Sequence, residues 1–259
     1  MVKIRFGPAG LGSVKDAIRN LEEFKALGLQ ACEIAFTYGA YIKHEKDAKE
    51  IGKAAKKLGI KLSIHAHYWI NLNSKEKAKI NASKKRILEC CRVGEQLGAH
   101  RVVFHPGFYA GIDKETTYKN ISEAILEMQK IIKEKKWKIR LAPETTGKVN
   151  VFGSIDEIAK LVKDTKCEFC IDFAHIRARE KHVDYNYIKQ KFGAHKQWHV
   201  HFSGIIYGDK GEQKHKKTTK SEWSTLLKNL PKDKEIIIIN ESPDNVQDSV
   251  DGLKLASRH

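Results

Sequence analysis

Cysteine is scarce in this 259-residue sequence, and its five copies form no disulfide framework. Their number is odd and their spacing does not repeat, which excludes a small disulfide-stabilised extracellular domain. Cys167 and Cys170 are three residues apart within an apolar run, where that spacing places side chains on opposite faces of a strand. The cysteines therefore indicate a reducing compartment and a structural place in the core.

Long hydrophobic runs are also missing. No apolar segment approaches the roughly 18 residues that a membrane-spanning helix requires. The first six residues, MVKIRF, lack the apolar run and the cleavage site of a signal peptide. We therefore expect a cytoplasmic protein that does not associate with membranes.

Acidic residues are outnumbered, since 32 Asp and Glu stand against 48 Lys and Arg and give a formal net charge of +16. A surplus of this sign attracts polyanions such as nucleic acid. The alternative is a lysine-rich solvated surface, because runs of charge are commonly helix faces exposed to water. Charge alone leaves both explanations open.

Linkers and low-complexity stretches are absent, and strand-like apolar runs alternate with amphipathic helix-like runs along the chain. Eight such units of about thirty residues each are typical of an α/β (β/α)8 TIM barrel, which reaches this length as one domain. We therefore predict that residues 1–259 form a single TIM-barrel domain. The predicted strands are 2–6, 31–36, 61–65, 101–105, 138–144, 167–172, 197–201 and 235–241, with a basic loop after the sixth and a lysine-rich loop after the seventh.

Metal-ligand side chains stand where most of these strands end. The residues are His65, His105, Glu144, Asp172, His201 and Glu241, and His175 follows three positions after Asp172. In a TIM barrel, the carboxyl ends of the strands carry the chemistry. Singly, each residue is more often a hydrogen-bonded or solvated side chain, but a buried group of them would be costly without a cation.

This set of ligands combines imidazole nitrogen and carboxylate oxygen without thiolate. Such a set suits Zn²⁺, with Mn²⁺ or Fe²⁺ as alternatives. Paired divalent ions activate water and stabilise both the attacking and the leaving oxygens of a phosphoryl displacement. The predicted site of two or more ions and the positive charge therefore both favour phosphodiester hydrolysis.

The segments that carry these residues resemble, in order, those of the endonuclease IV family. They are IHAHYWINL from Ile64, VFHPG from Val103, ETTG from Glu144, CIDFAH from Cys170, HFSG from His201 and NESP from Asn240. The resemblance covers nearly the whole chain. It implies a xylose-isomerase-like TIM barrel and a zinc-dependent apurinic/apyrimidinic endonuclease of base excision repair. It also implies a monomer that acts on double-stranded DNA containing abasic sites.

The resemblance further implies two or three zinc ions. One is held by His65, His105 and Glu144, and a second by Glu144 as a bridge together with Asp172, His201 and Glu241. A third is held by His175 and His215. The family's aspartate two residues before that last histidine is Gln213 here, and the neighbouring Glu212 is the alternative ligand. Glu144 would be the catalytic residue that orients or deprotonates the attacking water, and cleavage 5′ of the abasic site would leave a 3′-hydroxyl.

Candidate DNA contacts lie on the loops after the strands. Tyr68 and Trp69 follow His65 at the position where the family inserts side chains into the minor groove, and Tyr38 lies on a loop that is shorter than in typical bacterial members. The alternative for these aromatic residues is that they only cover the barrel rim. The basic stretches would contact phosphates through Arg177, Arg179, Lys214 and Lys216.

Two other functions stay open at this point. A metal-dependent sugar isomerase or epimerase uses a similar set of carboxylates and histidines at the rim of the same barrel. This alternative stays open because a fold does not fix function. Such enzymes usually need fewer imidazoles and no basic surface. The second alternative is a non-catalytic, metal-stabilised DNA-binding protein, with Gln213 as the sign of lost activity.

Overall fold

Twelve strands occur in the computed structural model, which describes residues 3–257. They are β1 (Lys3–Pro8), β2 (Ala31–Ala35), β3 (Lys61–His65), β4 (Arg101–Phe104), β5 (Gly107–Phe108), β6 (Arg140–Pro143), β7 (Val151–Phe152), β8 (Ile171–Asp172), β9 (Gln197–Phe202), β10 (Gly204–Gly208), β11 (Gly211–Lys216) and β12 (Glu235–Asn240). Eight of these strands are parallel and form the barrel, in the orders β1-β12-β9-β8 and β2-β3-β4-β6. Bridges from Ala9 to Glu33 and from Glu144 to Cys170 join the two halves and close it.

Helices follow the barrel strands and cover the outside. They are α1 (Ala17–Ala26), α2 (Glu45–Leu58), α3 (Lys77–Leu97), α4 (Lys114–Glu134), α5 (Ile155–Thr165), α6 (Phe173–Glu180), α7 (Tyr185–Phe192), α8 (Lys220–Asn229) and α9 (Asn245–Ala256). Capping boxes begin α5 at Ser154 and α8 at Thr219, so the side chains there satisfy free backbone N–H groups. The predicted (β/α)8 TIM barrel is confirmed. None of the helices within residues 3–257 combines the length and the hydrophobicity that a membrane crossing needs.

Alternation along the strands separates the core from the barrel interior. In β9, Trp198 and Val200 point outward into the core between the sheet and the helices, whereas His199 and His201 point inward. Small and branched residues such as Ala31 and Ile237 share that interior. Because parallel strands all end at the same rim, the residues at their carboxyl ends are brought together there.

Several segments differ from the prediction. The predicted sixth strand, 167–172, is reduced to β8, and the short pair β5–β7 lies in two predicted loops. The basic loop after the sixth strand contains helix α6, whose residues are buried on most sides and so lack the amphipathic pattern that marks a helix in the sequence. The lysine-rich loop after the seventh strand is the antiparallel hairpin β10–β11. The first predicted strand, 2–6, begins at a residue outside the described part of the chain.

Candidate metal centre

The eight predicted ligands converge at the carboxyl rim of the barrel, and three of the groups that they form there include all eight. Within each group, one candidate ligand atom per residue lies within 4.8 Å of the others. The groups are His65, His105 and Glu144; Glu144, Asp172, His201 and Glu241; and His175, Glu212 and His215. The three groups correspond to the sets that the resemblance to endonuclease IV implies, with Glu212 in place of the family's aspartate.

Glu144 joins the first two groups. Its carboxylate is fully buried just after β6. Oε2 lies 3.1 Å from Nε2 of His65 and 3.1 Å from Nε2 of His105, while Oε1 lies 2.9 Å from Nδ1 of His201. The two oxygens therefore face different imidazoles, which is the arrangement that a carboxylate bridging two cations needs.

Asp172 completes the second group from the end of β8. Its Oδ1 accepts a hydrogen bond from the backbone N–H of His175 at 2.7 Å and so caps α6. Its Oδ2 is buried and has no hydrogen-bond partner among the described residues. The nearby Nδ1 of His175, 3.3 Å away, lies 3.0 Å from the carbonyl oxygen of Thr145 and donates its hydrogen there. A buried carboxylate oxygen with no donor is costly unless a cation meets it.

The third group depends on a β-bulge in the β10–β11 hairpin. Tyr207 pairs with Glu212 and Ile206 with Lys214, so Gln213 is an extra residue with no partner across the hairpin. Glu212 and His215 are three residues apart, a spacing that places side chains on opposite faces of a regular strand. The extra residue brings both side chains to one face, so both reach His175. Glu212 Oε2 lies 3.3 Å from Nε2 of His175, and Oε1 lies 3.9 Å from Nε2 of His215.

Gln213 is therefore not at this site, and its side chain is exposed on the hairpin. Glu212, the alternative that the sequence left open, is in the ligand position. Gly147 on the loop after β6 permits this approach, because a Cβ there would lie 2.7 Å from Cβ of Glu212 and 3.0 Å from Cδ2 of His175. Any side chain at position 147 would displace the third group.

The imidazoles are oriented by contacts on the side away from the carboxylates. Nδ1 of His65 lies 2.9 Å from the carbonyl oxygen of Ala66, and Nδ1 of His215 lies 2.6 Å from Oγ of Ser203. Ser203 donates to a backbone carbonyl, so its oxygen accepts the N–H of His215. In both rings Nε2 is therefore the nitrogen that faces the mouth, where a metal ion could take the place of its proton.

Burial and neighbouring charges shift the pKa values of the candidate ligands, and the direction differs from residue to residue. Burial raises the pKa of Glu144, but His201 and His105 outweigh it and hold that pKa well below its usual range. Burial lowers the pKa of His65, but the hydrogen bond and charge of Glu144 raise it to about 9. Burial raises the pKa of Asp172 to about 6, with His175 opposing the rise. Positive charge nearby stabilises the buried carboxylates. In the absence of a metal ion, protons on the neighbouring histidines supply that charge.

These residues fit divalent metal ions on two grounds. Oδ2 of Asp172 is a buried anionic oxygen without a hydrogen-bond donor. The donor set is imidazole nitrogen and carboxylate oxygen, which suits zinc, and each group supplies three or four ligands. The identity of the ion belongs to the proposal below.

Sequence reasoning missed Glu33 on β2. Its side chain is fully buried on the interior face of the barrel, beneath His201. The signal was present, because a single carboxylate interrupts the apolar strand ACEIA. A charged residue in the middle of a buried strand is rare and needs an explanation.

An open cavity of about 270 Å³ lies over the groups, lined by His65, His105, His175, Glu212, His215 and Glu241 together with Tyr68. Tyr68 and Trp69, which follow β3, are 62% and 54% exposed. Tyr38, 81% exposed, lies against both, with its ring centroid 6.4 Å from that of Tyr68 and 5.8 Å from that of Trp69. The three predicted aromatic residues thus form one exposed cluster at the edge of the cavity.

The predicted basic residues divide into two kinds. Arg177 and Lys214 are exposed, and Lys216 is partly exposed with Nζ 3.8 Å from Glu222. Arg179 differs from the prediction, because its guanidinium donates to the backbone carbonyls of Lys148 and Val151, each at 2.7 Å. Arg179 therefore fastens the loop between β6 and β7 and is not free to bind phosphate.

The family model for the xylose isomerase-like TIM barrel matches residues 21–255. The chain belongs to the xylose isomerase-like TIM barrel family. Within this family it is 36% identical over 259 residues to an uncharacterized protein of Methanocaldococcus jannaschii, with 93% of each chain covered. A probable endonuclease 4 of Acholeplasma laidlawii is 33% identical over 131 residues, which are 47% of this chain and 44% of that protein. The resemblance to endonuclease IV is thus confirmed, over less than half of that relative.

Solved structures of xylose isomerase-like barrels share the fold. Endonuclease IV from Thermus thermophilus has a TM-score of 0.73 at 19% identity, with 99% of this chain and 98% of that chain covered. D-psicose 3-epimerase from Clostridium cellulolyticum has a TM-score of 0.72 at 14% identity, with 99% of both chains covered. At these identities the similarity establishes the fold, and the functional conclusion depends on the site itself.

Proposed function

We propose that the protein is a metal-dependent phosphodiesterase that cleaves DNA on the 5′ side of abasic sites and leaves a 3′-hydroxyl. The observation that carries this proposal is the presence of three ligand groups at one rim, two of which share Glu144. A single ion for carbohydrate chemistry needs one such group. Three groups beside one cavity suit a phosphate whose several oxygens are held at once.

Some residues of the chain would hold the metal ions, and Glu144 would also position the water molecule. His65 and His105 would hold the first ion with Glu144, and Asp172 the second with the same carboxylate. His175, Glu212 and His215 would hold the third. Zinc ions bound there would act as Lewis acids on the phosphodiester and activate a water molecule. Glu144, with an oxygen toward each of the first two groups, would orient or deprotonate that water.

The exposed aromatic cluster supports a DNA substrate. Tyr38, Tyr68 and Trp69 are exposed together at the edge of the cavity, and exposed aromatic side chains are suited to fill the gap in a base stack. Flipping a nucleotide costs least where the base is already missing, so the lesion contributes to selectivity. The net charge of +16 favours the same polyanion. The named relatives that act on nucleic acid, the probable endonuclease 4 and endonuclease IV, support this choice.

A sugar epimerase is the second candidate. The group of Glu144, Asp172, His201 and Glu241 would by itself serve a single-ion sugar enzyme, and the epimerase structure shares the fold. The third ligand group and the aromatic cluster have no role in that reaction.

The test is an incision assay with zinc-loaded protein. The substrate is a labelled duplex with one abasic site, and ketohexoses are offered to the same preparation. We expect a nick 5′ of the lesion whose 3′ end a polymerase can extend, and no change in the sugar. Glu144→Gln should reduce incision to the level of chelated protein, because the neutral amide cannot bridge two cations. Glu134→Gln, an exposed position at the end of α4, is the matched control and should remain active.

Each other result selects a different function. Epimerised sugar with intact DNA would assign the protein to carbohydrate chemistry. Tight binding of abasic DNA with neither reaction would indicate a binding protein that has lost its activity.

A further inference from the structure

A buried carboxylate lies directly beneath the metal centre. Glu33 on β2 is fully buried in the barrel interior. Its Oε2 accepts a hydrogen bond from Oγ of Ser63 at 2.7 Å and lies 2.9 Å from Nε2 of His199. Its Oε1 lies 2.8 Å from Nε2 of His201, a close charge contact in which neither atom forms a hydrogen bond of good geometry among the described residues. From β2, the carboxylate of Glu33 therefore contacts Ser63 on β3 and the candidate metal ligand His201 on β9.

Packing alone does not explain an acidic residue at this position. No Lys or Arg within residues 3–257 forms an ion pair with Glu33. Neighbouring interior positions hold apolar residues such as Ala31 and Ile239. A buried carboxylate costs more free energy than an apolar side chain of similar volume unless its partners compensate for the loss of water. The partners here are imidazoles and a hydroxyl, so the contact with His201 is the feature to explain.

His201 presents its nitrogens in the reverse sense from the other histidines. In His65 and His215, Nδ1 makes the supporting contact and Nε2 faces the mouth. In His201, Nδ1 faces the mouth, 2.9 Å from Glu144 and 3.3 Å from Glu241, while Nε2 faces Glu33. A carboxylate behind Nε2 favours the tautomer that keeps the proton there, which leaves the lone pair of Nδ1 for a cation.

We infer that Glu33 is a positioning residue that holds His201 in the tautomer and orientation required to bind the second metal ion through Nδ1. The inference rests on the proposed metal centre. Ser63 and His199 hold the other oxygen of Glu33, so the carboxylate is fixed before it fixes His201. Supporting carboxylates of this kind raise the basicity of a ligating imidazole, and their loss weakens metal binding about 10- to 100-fold.

The test measures zinc binding by the purified full-length protein in competition with a chromogenic chelator. Glu33→Gln keeps the shape but places an amide behind His201. We expect one zinc ion of the set to bind about 10- to 100-fold more weakly. Thermal unfolding of the chelated protein checks that the variant folds. Some loss of melting temperature is expected, because burial raises the pKa of Glu33 but His201 and His199 outweigh it and hold that pKa well below its usual range, so the charged carboxylate stabilises the folded state. Glu235→Gln is the matched control, since it removes a partly buried carboxylate that pairs with Arg5 at the amino end of β12, away from the rim, so zinc affinity should be unchanged.

A second variant covers the possibility that Glu33→Gln does not fold. Glu33→Asp keeps the charge but draws the carboxylate away from His201 by one methylene, and we expect the same loss of zinc affinity. Wild-type affinity in either folded variant would overturn the inference. Failure of both variants to fold would also overturn it, because Glu33 would then serve the fold itself. A wild-type protein that binds zinc but does not cleave abasic DNA would refute the proposed function and leave this result unaffected.

Discussion

At the scale of single residues, the two oxygens of Asp172 serve different purposes. Oδ1 caps helix α6 and Oδ2 has no hydrogen-bond donor among the described residues, although both are buried. A cap alone is satisfied by Asn or Ser as well as by Asp. The helix cap therefore does not explain the charge at this position, whereas the proposed metal centre would.

Asp172→Asn separates these two purposes. The amide oxygen can still accept from His175 N–H, but the anionic ligand is lost, so we expect zinc affinity at one site to fall by at least about tenfold. The melting temperature of the chelated protein at pH 8 should stay the same or rise, because burial raises the pKa of Asp172 to about 6 and disfavours its charged form. Zinc titration and thermal unfolding measure the two effects. Asp184→Asn, which changes the equivalent cap of α7, should alter neither property.

The pKa of His65 predicts a pH dependence of stability. Folding raises this pKa from 6.5 to about 9 in the absence of metal, chiefly through Glu144 acting against burial. The protonated ring therefore stabilises the folded state. This contribution is complete below pH 6.5 and is lost as the pH rises through about 9.

We accordingly expect the melting temperature of the chelated protein to fall between pH 6.5 and 9. Zinc competes with protons for the same nitrogens, so the stabilisation by zinc should increase over this range. Thermal unfolding at a series of pH values, with zinc or with chelator, measures both slopes. His65→Gln should flatten the fall in the chelated protein. Parallel slopes with and without zinc would contradict this assignment.

At the scale of elements, the β10–β11 hairpin decides whether a third ligand group exists. Glu212 and His215 are three residues apart, a spacing that places side chains on opposite faces of a regular strand. The bulge at Gln213 brings both side chains to one face, because the extra residue shifts the alternation by one. Helix α6 packs against this hairpin through Ala174, Ala178 and Ile205 and brings His175 to the other side of the group.

Deletion of Gln213 tests the role of the bulge. The remaining residues would alternate regularly, with Glu212 and His215 still on one face, so we expect zinc stoichiometry to remain as in the wild type. Glu212→Gln should instead remove one zinc ion per chain, because it removes the carboxylate that joins His175 to His215. Metal analysis of desalted protein measures both variants. Loss of an ion in the deletion variant alone would show that Gln213 is itself a ligand.

At the scale of the whole molecule, charge favours the binding of polyanions but does not by itself locate a surface. The surplus of 48 basic over 32 acidic residues is distributed over helices as well as over the rim. Arg177 on α6 and Lys214 on β11 are exposed, and each lies within two residues of a candidate metal ligand. Arg179, four residues beyond His175, is instead held by backbone carbonyls.

We expect the affinity for abasic duplex DNA to decrease steeply with salt concentration. Each phosphate contact contributes about 0.9 to the slope of log affinity against log salt. Arg177→Ala and Lys214→Ala should each reduce the slope by about one contact and weaken binding to all sequences alike. Lys130→Ala, an exposed position on the outer helix α4, should leave the slope unchanged. Equal effects at all three positions would indicate non-specific attraction by the whole surface.

The sequence by itself determined the barrel and placed most of the candidate metal ligands together. Strand-and-helix alternation predicts the barrel because it reflects which faces are buried. Once the barrel is known, residues at the strand ends must meet, since parallel strands finish at one rim. His65, His105, Glu144, Asp172 and His201 could be placed together in this way.

Only the tertiary structure decided the remaining features, because they depend on contacts between distant segments. The choice of Glu212 over Gln213 follows from strand register in the hairpin, which the local sequence does not specify. The engagement of Arg179 follows from carbonyls about thirty residues away. The contact of Glu33 with His201 joins strands from opposite parts of the chain. Side-chain type fixes what a residue can bind, and the fold fixes which partner it meets.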